Sequence, residues 1–206
     1  MVRRHGDLLW GSKPPPAEAR LVVQVSRWDR LKDMVGVLSA FADDVVPATP
    51  DVHLMLAGPD VSGVSDDPEG AEVLASCRAA WARLPESRRT RCHLARIPMD
   101  DVDENAIIIN ALQQHATVVV QKSLVEGFGL TVTEVRWRSR PVLASAVGDI
   151  QDQIIDGREG RCCRTLATCA VSRSVCNCCS RTLGWASGWD VAAMSGCGTN
   201  FSATDT

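Results

Sequence analysis

At 206 residues with 45% hydrophobic content, the chain is long enough to bury one good core, or one domain with an appendage. A formal net charge of -3 gives no electrostatic reason to expect nucleic acid or an acidic membrane surface as partner. The region after Met1 lacks the basic, apolar and small-residue succession of a signal peptide, and no run reaches membrane-spanning length, so a cytoplasmic location is expected.

Residues 1–19, with Pro14-Pro15-Pro16, read as a linker rather than a domain. Short apolar, β-branched runs at 21–25, 52–56, 92–95, 117–120 and 142–144 predict strands. They alternate with helical patterns at 33–46, 69–84, 104–115 and 130–138. Such alternation predicts an α/β lobe over 20–160, with parallel strands joined by helical crossovers. Ligands of such sheets collect at the carboxyl ends of the strands, where the loops after 25 and after 120 both fall.

The second of those loops carries Glu126-Gly127-Phe128-Gly129-Leu130-Thr131-Val132-Thr133-Glu134. Gly127 and Gly129 permit close approach of a ligand to the backbone, and the free N–H groups of Leu130 and Thr131 at the helix start favour a phosphate. Two carboxylates beside a phosphate site suit neutral hydroxyls, which Glu126 and Glu134 would accept on either side. A polyol, a phosphate and a second polyol describe a nucleotide sugar. Taken alone, the two acids read more readily as solvated residues beside a tight turn. The same holds for Arg27 and Lys32, a basic pair after the first strand that is either solvent-facing or a source of positive charge for a leaving diphosphate.

Several other residues are assigned to structure. His53 lies in an apolar strand pattern and is expected to be a satisfied core histidine, and His115 closes a helix whose dipole suits a cation. Trp28, Trp81 and Trp137 are expected to be packing residues. Ile97, just past the third strand, is placed to touch a nucleotide base.

In order along the chain stand Val22-Val23-Gln24-Val25-Ser26-Arg27-Trp28-Asp29-Arg30-Leu31-Lys32-Asp33, Asp66-Asp67-Pro68-Glu69-Gly70, Val119-Val120-Gln121-Lys122-Ser123 and the Glu126 to Glu134 block. Arg140-Pro141-Val142-Leu143-Ala144-Ser145 and Gly148-Asp149-Ile150-Gln151-Asp152-Gln153-Ile154 follow. This ordered set, spanning about 20–160, resembles the retaining glycosyltransferases of family 4, most closely the trehalose synthase type. The resemblance implies the C-terminal, donor-binding Rossmann-like lobe of a two-lobed GT-B architecture, with 1–19 as the remnant of an interlobe linker. It implies transfer of glucose from UDP-, ADP- or GDP-glucose to an acceptor sugar, expected to be glucose, with no metal and no further cofactor.

By that resemblance Arg27 and Lys32 clamp the diphosphate and Glu126 orients the donor sugar. Glu134 holds the ribose hydroxyls, and the amides of Gly127, Phe128 and Gly129 line the sugar. Retention in this family is explained by front-face attack, so Glu126 is not assigned as a covalent nucleophile. Asp149 stands where the family often has a second glycine. The acceptor is bound mainly by an N-terminal lobe in the family, so the expected chain is either a donor half that is inactive alone or a binding module. A dimer, or a separately encoded acceptor lobe, would then be its partner.

After Gly160 the composition changes abruptly. Seven of the nine cysteines lie in 161–206, a stretch without Lys, Glu or His and without sustained periodicity. A secreted disulfide module conflicts with the missing signal peptide, and Cys162-Cys163 with Cys176-x-Cys178-Cys179 lacks paired zinc spacing. Regrouping common codons by one base lets 194–206 resemble the closing helix of the family, and 161–166 its last strand and turn. The stretch therefore reads as a frameshifted translation, unstructured or non-native, that deprives the lobe of its last strand.

Overall fold

The computed structural model describes residues 9–10, 13–61, 68–154 and 161–163. The expected strands appear as β1 (Arg20–Val25), β2 (Val52–Pro59), β3 (Cys92–Ile97), β4 (Val118–Gln121) and β5 (Val142–Ser145). They pair in parallel throughout, in the order β3-β2-β1-β4-β5, and a sixth strand, β6 (Arg161–Cys163), extends the sheet beyond β5.

The sixth strand differs from the sequence expectation, which ended the lobe at Gly160. Arg161, Cys162 and Cys163 stand in register with Leu143, Ala144 and Ser145. An edge strand offers unpaired N–H and C=O groups that a short extended segment satisfies with its main chain, whatever its side-chain pattern. The rest of the cysteine-rich stretch, residues 164–206, lies outside the described residues, as do Asp66 and Asp67.

Between the strands run α1 (Met34–Ala40), α2 (Val46–Ala48), α3 (Pro68–Arg83), α4 (Glu86–Arg89), α5 (Val102–His115), α6 (Leu130–Trp137) and α7 (Ile150–Gln153). The single helix expected over 33–46 is α1 followed by a π-turn, Phe41–Val45, and α2. Pro47 supplies no N–H, so a regular ladder cannot run through it. Helix α5 begins two residues before the expected 104, because the Asp101 carboxylate caps it, accepting from the N–H groups of Asp103 and Glu104 at 3.0 and 3.1 Å.

Strand periodicity divides the core into two layers. Val22, Leu54, Leu56, Cys92, Leu94, Val118 and Val120 face α1 and α3, packing with Leu38, Phe41, Leu74 and Cys77. Val23, Met55, Ala57, Ala95, Val119, Val142 and Ala144 face the opposite way, onto Ile108, Val132, Val135 and Ile150. Both faces of the sheet are therefore buried, as a parallel sheet requires. Burial pushes the thiols of Cys77 and Cys92 up to about 12, leaving them protonated at neutral pH.

Leu9 and Trp10, ahead of β1, lie against the outer edge of β3. Leu9 bridges Ala95 in antiparallel fashion, and Trp10 N–H donates to Leu94 C=O at 2.7 Å. The Arg78 guanidinium lies 3.4 Å from the Trp10 ring centroid, with Arg96 at 5.2 Å. His53 is half-buried and its Nδ1 lies 3.0 Å from Nε2 of the buried His93, so it is satisfied as expected. Burial is the main cause, followed by the neighbouring His53, that lowers His93 to about 4.

Trp28 is buried and donates to Pro59 C=O at 2.8 Å, while half-buried Trp81 donates to Cys92 C=O at 2.7 Å. Trp137 departs from its expected packing role. It is 78% exposed at the end of α6, because only Val132 and Val135 of that helix point into the core. Among the described residues, no helix is long and apolar enough to cross a membrane.

Gly58 tests the packing beneath Trp28. A Cβ there would lie 2.6 Å from Trp28 Cε2 and 2.8 Å from Ser26 O, so the indole or the β1 terminus must move. Gly58→Ala is expected to cost about 1–3 kcal/mol in denaturant unfolding. An unchanged midpoint would contradict this packing.

Candidate donor-binding site

Two loops leave the sheet where the strand order reverses, one after β1 and the other after β4. The β1 loop is shaped by Asp29, whose Oδ1 accepts from Leu31 N–H at 2.7 Å and starts a 3-10 turn, Arg30–Lys32. The β4 loop is drawn against it: Leu124 N–H donates to Leu31 C=O at 2.7 Å. Gln24, fully buried, lies between them. Its Nε2 donates to Lys32 C=O at 2.9 Å, and its Oε1 accepts from Lys122 N–H at 3.4 Å.

This arrangement brings Lys32 and Glu126 into direct contact. Lys32 Nζ pairs with Glu126 Oε2, with side chains only 15% and 16% exposed. Ser123 Oγ and Gln121 Nε2 reach the same oxygen at 3.1 and 3.3 Å. All three contacts fall on Oε2, so among the described residues Oε1 has no donor. Burial pushes the Glu126 carboxyl upward and is the largest single influence. Lys32, with help from Ser123 and Gln121, outweighs it and holds the group below the usual carboxylate range.

A second ion pair of opposite polarity lies beside the first. Lys122 Nζ binds Asp33 Oδ2, and the Lys122 side chain is 4% exposed. Asp33 has φ 41° and ψ 47°, and its carboxylate also accepts from Gly36 N–H at 3.1 Å, capping α1.

The glycines of the 126–134 loop divide into two kinds. Gly129 has φ 76°, and a Cβ there would lie 2.7 Å from Ile150 Cγ1, so the fold itself demands glycine. At Gly127 a Cβ would meet nothing within 4 Å, so space is left over the loop backbone. The fold therefore accounts for glycine at 129 by itself, whereas among the described residues nothing in the packing calls for it at 127. Gly148, from the loop after β5, braces the same segment: a Cβ there would lie 2.0 Å from Glu126 O. Asp149 N–H donates to Gly127 C=O at 3.0 Å, and Gln153 Nε2 to Phe128 C=O.

The remaining expected residues lie around this centre without converging on it. Arg27 is 78% exposed at the end of β1, 3.5 Å from Asp29. Phe128 and Leu130 are 51% and 68% exposed, Thr131 is partly exposed, and Glu134 is exposed on α6. The N–H groups of Leu130 and Thr131 open α6 and have no intrahelical acceptor. Ile97, expected against a base, is instead only 2% exposed within the core. Its alternation with Arg96 directs it inward. Gln24, Asp33, Lys122 and Gly148 lay in the blocks quoted above without a role assigned to them. The one signal in sequence was Gln24, a polar residue inside an otherwise apolar strand. Among the described residues, no group of three or more His, Cys, Asp or Glu could hold a metal ion.

A doubly covered parallel sheet with a charged crevice at its strand-order reversal defines a Rossmann-like α/β lobe. The family model for glycosyl transferases group 1 matches residues 11–168, and the chain belongs to that family. The match reaches past Gly160, as β6 does. The chain is 34% identical over 145 residues to a trehalose synthase of Pyrococcus horikoshii, covering 69% of this chain and 32% of that protein. It is 38% identical over 140 residues to a trehalose synthase of Rubrobacter xylanophilus, covering 68% and 31%. The chain thus spans about a third of the length of these curated relatives. Among solved structures it is similar to a sucrose-phosphate synthase from Thermosynechococcus elongatus, with a TM-score of 0.56, 25% identity, and 82% and 37% of the two chains covered. An Anabaena protein, Alr3699/HepE, solved with UDP and glucose, shares the fold at a TM-score of 0.62 and 17% identity, covering 80% and 40%.

The lowered Glu126 value has a sign that unfolding can read. A carboxyl depressed in the folded state stabilises it above the unfolded pKa, near 4.5, and loses that contribution as pH falls through the folded value. The difference in unfolding free energy between wild type and Glu126→Gln is expected to be constant above about pH 5.5 and to shrink in acid. A difference independent of pH down to pH 3 would rule out the charged pair.

Proposed function

We propose that this lobe binds a nucleotide-glucose donor at the crevice between the β1 and β4 loops and supplies the donor half of a retaining glucosyl transfer. The observation that carries this reading is the convergence of Lys32 and Glu126 at the strand-order reversal, with one carboxylate oxygen left open. There a cation for the diphosphate and an acceptor for sugar hydroxyls stand side by side. The open space over Gly127 supports it, since the backbone there can meet a sugar without displacing protein atoms. Further support comes from the trehalose synthase relatives and from the fold shared with a protein solved with UDP and glucose.

In this reading Arg27 and Lys32, with the Leu130 and Thr131 amides, neutralise the nucleoside diphosphate as it leaves the anomeric carbon. Glu126 Oε1 accepts from a hydroxyl of the glucosyl group, and Glu134 accepts from the ribose hydroxyls. The amides of Gly127, Phe128 and Gly129 line the sugar. The donor is a substrate, and no further cofactor or metal is required. Transfer to an acceptor, for which glucose is proposed from the trehalose synthase relatives, needs a second lobe to bind that acceptor and exclude water. The donor half on its own is accordingly proposed to bind without efficient turnover.

Calorimetric titration of the full chain with UDP-, ADP- and GDP-glucose tests the reading directly. One of the three is expected to bind. Arg27→Ala, Lys32→Ala and Glu134→Ala are each expected to weaken it by about tenfold or more, the loss of one charge-assisted hydrogen bond. Absence of binding to all three donors by folded wild-type chain would falsify the proposal.

A further inference from the structure

Lys122 is a cation buried to within 4% of full enclosure, and burial of that kind is unfavourable unless the charge is paired. Its partner, Asp33, directly follows Lys32 in the chain. Asp33 occupies the left-handed backbone region, which Asp and Asn tolerate better than other side chains. The start of α1 is built around the same carboxylate: it caps Gly36 N–H, and a Cβ on Gly36 would lie 2.4 Å from Asp33 Oδ2. The main chain repeats the connection, because Gln24 joins Lys32 C=O to Lys122 N–H. Residues 32 and 33 are therefore held to residue 122 through both side chain and backbone. Lys122 is not among the groups acting on the Glu126 carboxyl, which are Lys32 from the β1 loop and Ser123 and Gln121 from the β4 loop.

We infer that Asp33 and Lys122 are positioning residues: their buried ion pair fixes the turn that aims Lys32 at Glu126 and at the diphosphate of a bound donor. The diphosphate part rests on the donor-binding reading above. The orientation of Lys32 toward Glu126 does not require a ligand, so the two can fail separately.

The test follows the Glu126 carboxyl by carbon NMR during an acid titration of nucleotide-free full-length chain, assigned with Glu126→Gln. Lys32→Ala sets the upper limit of the midpoint, since it removes the cation outright. Asp33→Ala is the decisive variant because the competing effects have opposite signs. Loss of a nearby negative charge alone would lower the Glu126 midpoint, whereas a displaced Lys32 raises it. The expected result is a rise toward the Lys32→Ala value, with Asp33→Asn, which retains the left-handed turn and an acceptor oxygen, closer to wild type. A fall or no change overturns the inference.

If Asp33→Ala does not fold, Lys122→Met is read with and without Lys32→Ala. Positioning predicts a raised midpoint that vanishes in the Lys32→Ala background, and persistence there overturns it. UDP titrations of the same variants are expected to show about tenfold weaker binding for Asp33→Ala and Lys122→Met, and no further loss when either is combined with Lys32→Ala. Failure of wild type to bind UDP, ADP or GDP would count against the donor reading alone, and the carboxyl titration would still decide the positioning.

Discussion

Strand β1 is in register with β2 over six residues but with β4 over only two, Val22 with Val118 and Val23 with Val119. Beyond Val23 the β1 and β4 chains part, and the crevice opens between them. A parting pair of buried strands leaves N–H and C=O groups that need partners. Gln24 supplies them from its side chain, which accepts from Lys122 and donates to Lys32 where the ladder has ended. The β1–β4 separation is thus held at a fixed width by a carboxamide, and the charged groups of the site are mounted on its two sides.

Those charges are arranged with alternating sign. Lys32 faces Glu126, while their near neighbours Asp33 and Lys122 face each other in the reverse sense. Each ion has an opposite charge in contact, and both carboxylates also accept from neutral donors, Ser123 and Gln121 at Glu126 and Gly36 N–H at Asp33, which helps enclosed ions to be tolerated. The alternation also separates two tasks. The Asp33–Lys122 pair, more enclosed at its lysine, belongs to the fold because it carries the cap of α1. The Lys32–Glu126 pair is less enclosed at its lysine and, among the described residues, has an oxygen to spare.

The fold was largely legible from periodicity, and the reasons are local. Runs such as Val118-Val119-Val120 place consecutive β-branched residues on opposite, equally buried faces, the pattern of a strand covered on both sides, as in a parallel sheet. The convergence of the β1 and β4 loops on one crevice was legible from the strand order, and Lys32 meets Glu126 there. What could not be read was the framework between them, since the partnership of Asp33 with Lys122 depends on the separation of two strands distant in sequence. Trp137 and Ile97 were misread for the complementary reason. Hydrophobicity alone does not say which way a residue at the end of an element points, and at both positions the local alternation reversed the expected direction. Strand β6 escaped because edge pairing uses main-chain groups, which leave no side-chain pattern.

The glycine-bracketed loop between Glu126 and Glu134 shows how a motif can combine two origins in a few residues. Gly129 is fixed by a positive φ and by Ile150, and Gly148 by the backbone oxygens of Glu126 and Gly127. Either would be needed in a lobe that bound nothing. Gly127 has no such necessity: its φ is ordinary and a side chain there would touch no protein atom. A glycine that the fold does not require gives up backbone entropy without a structural return. Among the described residues the vacant side of Gly127 adjoins Glu126, the residue whose second oxygen is also uncommitted. Two independent economies of the folded chain, one of volume and one of hydrogen bonding, therefore leave room at the same point of the crevice, beside the only cation that reaches the Glu126 carboxylate among the described residues.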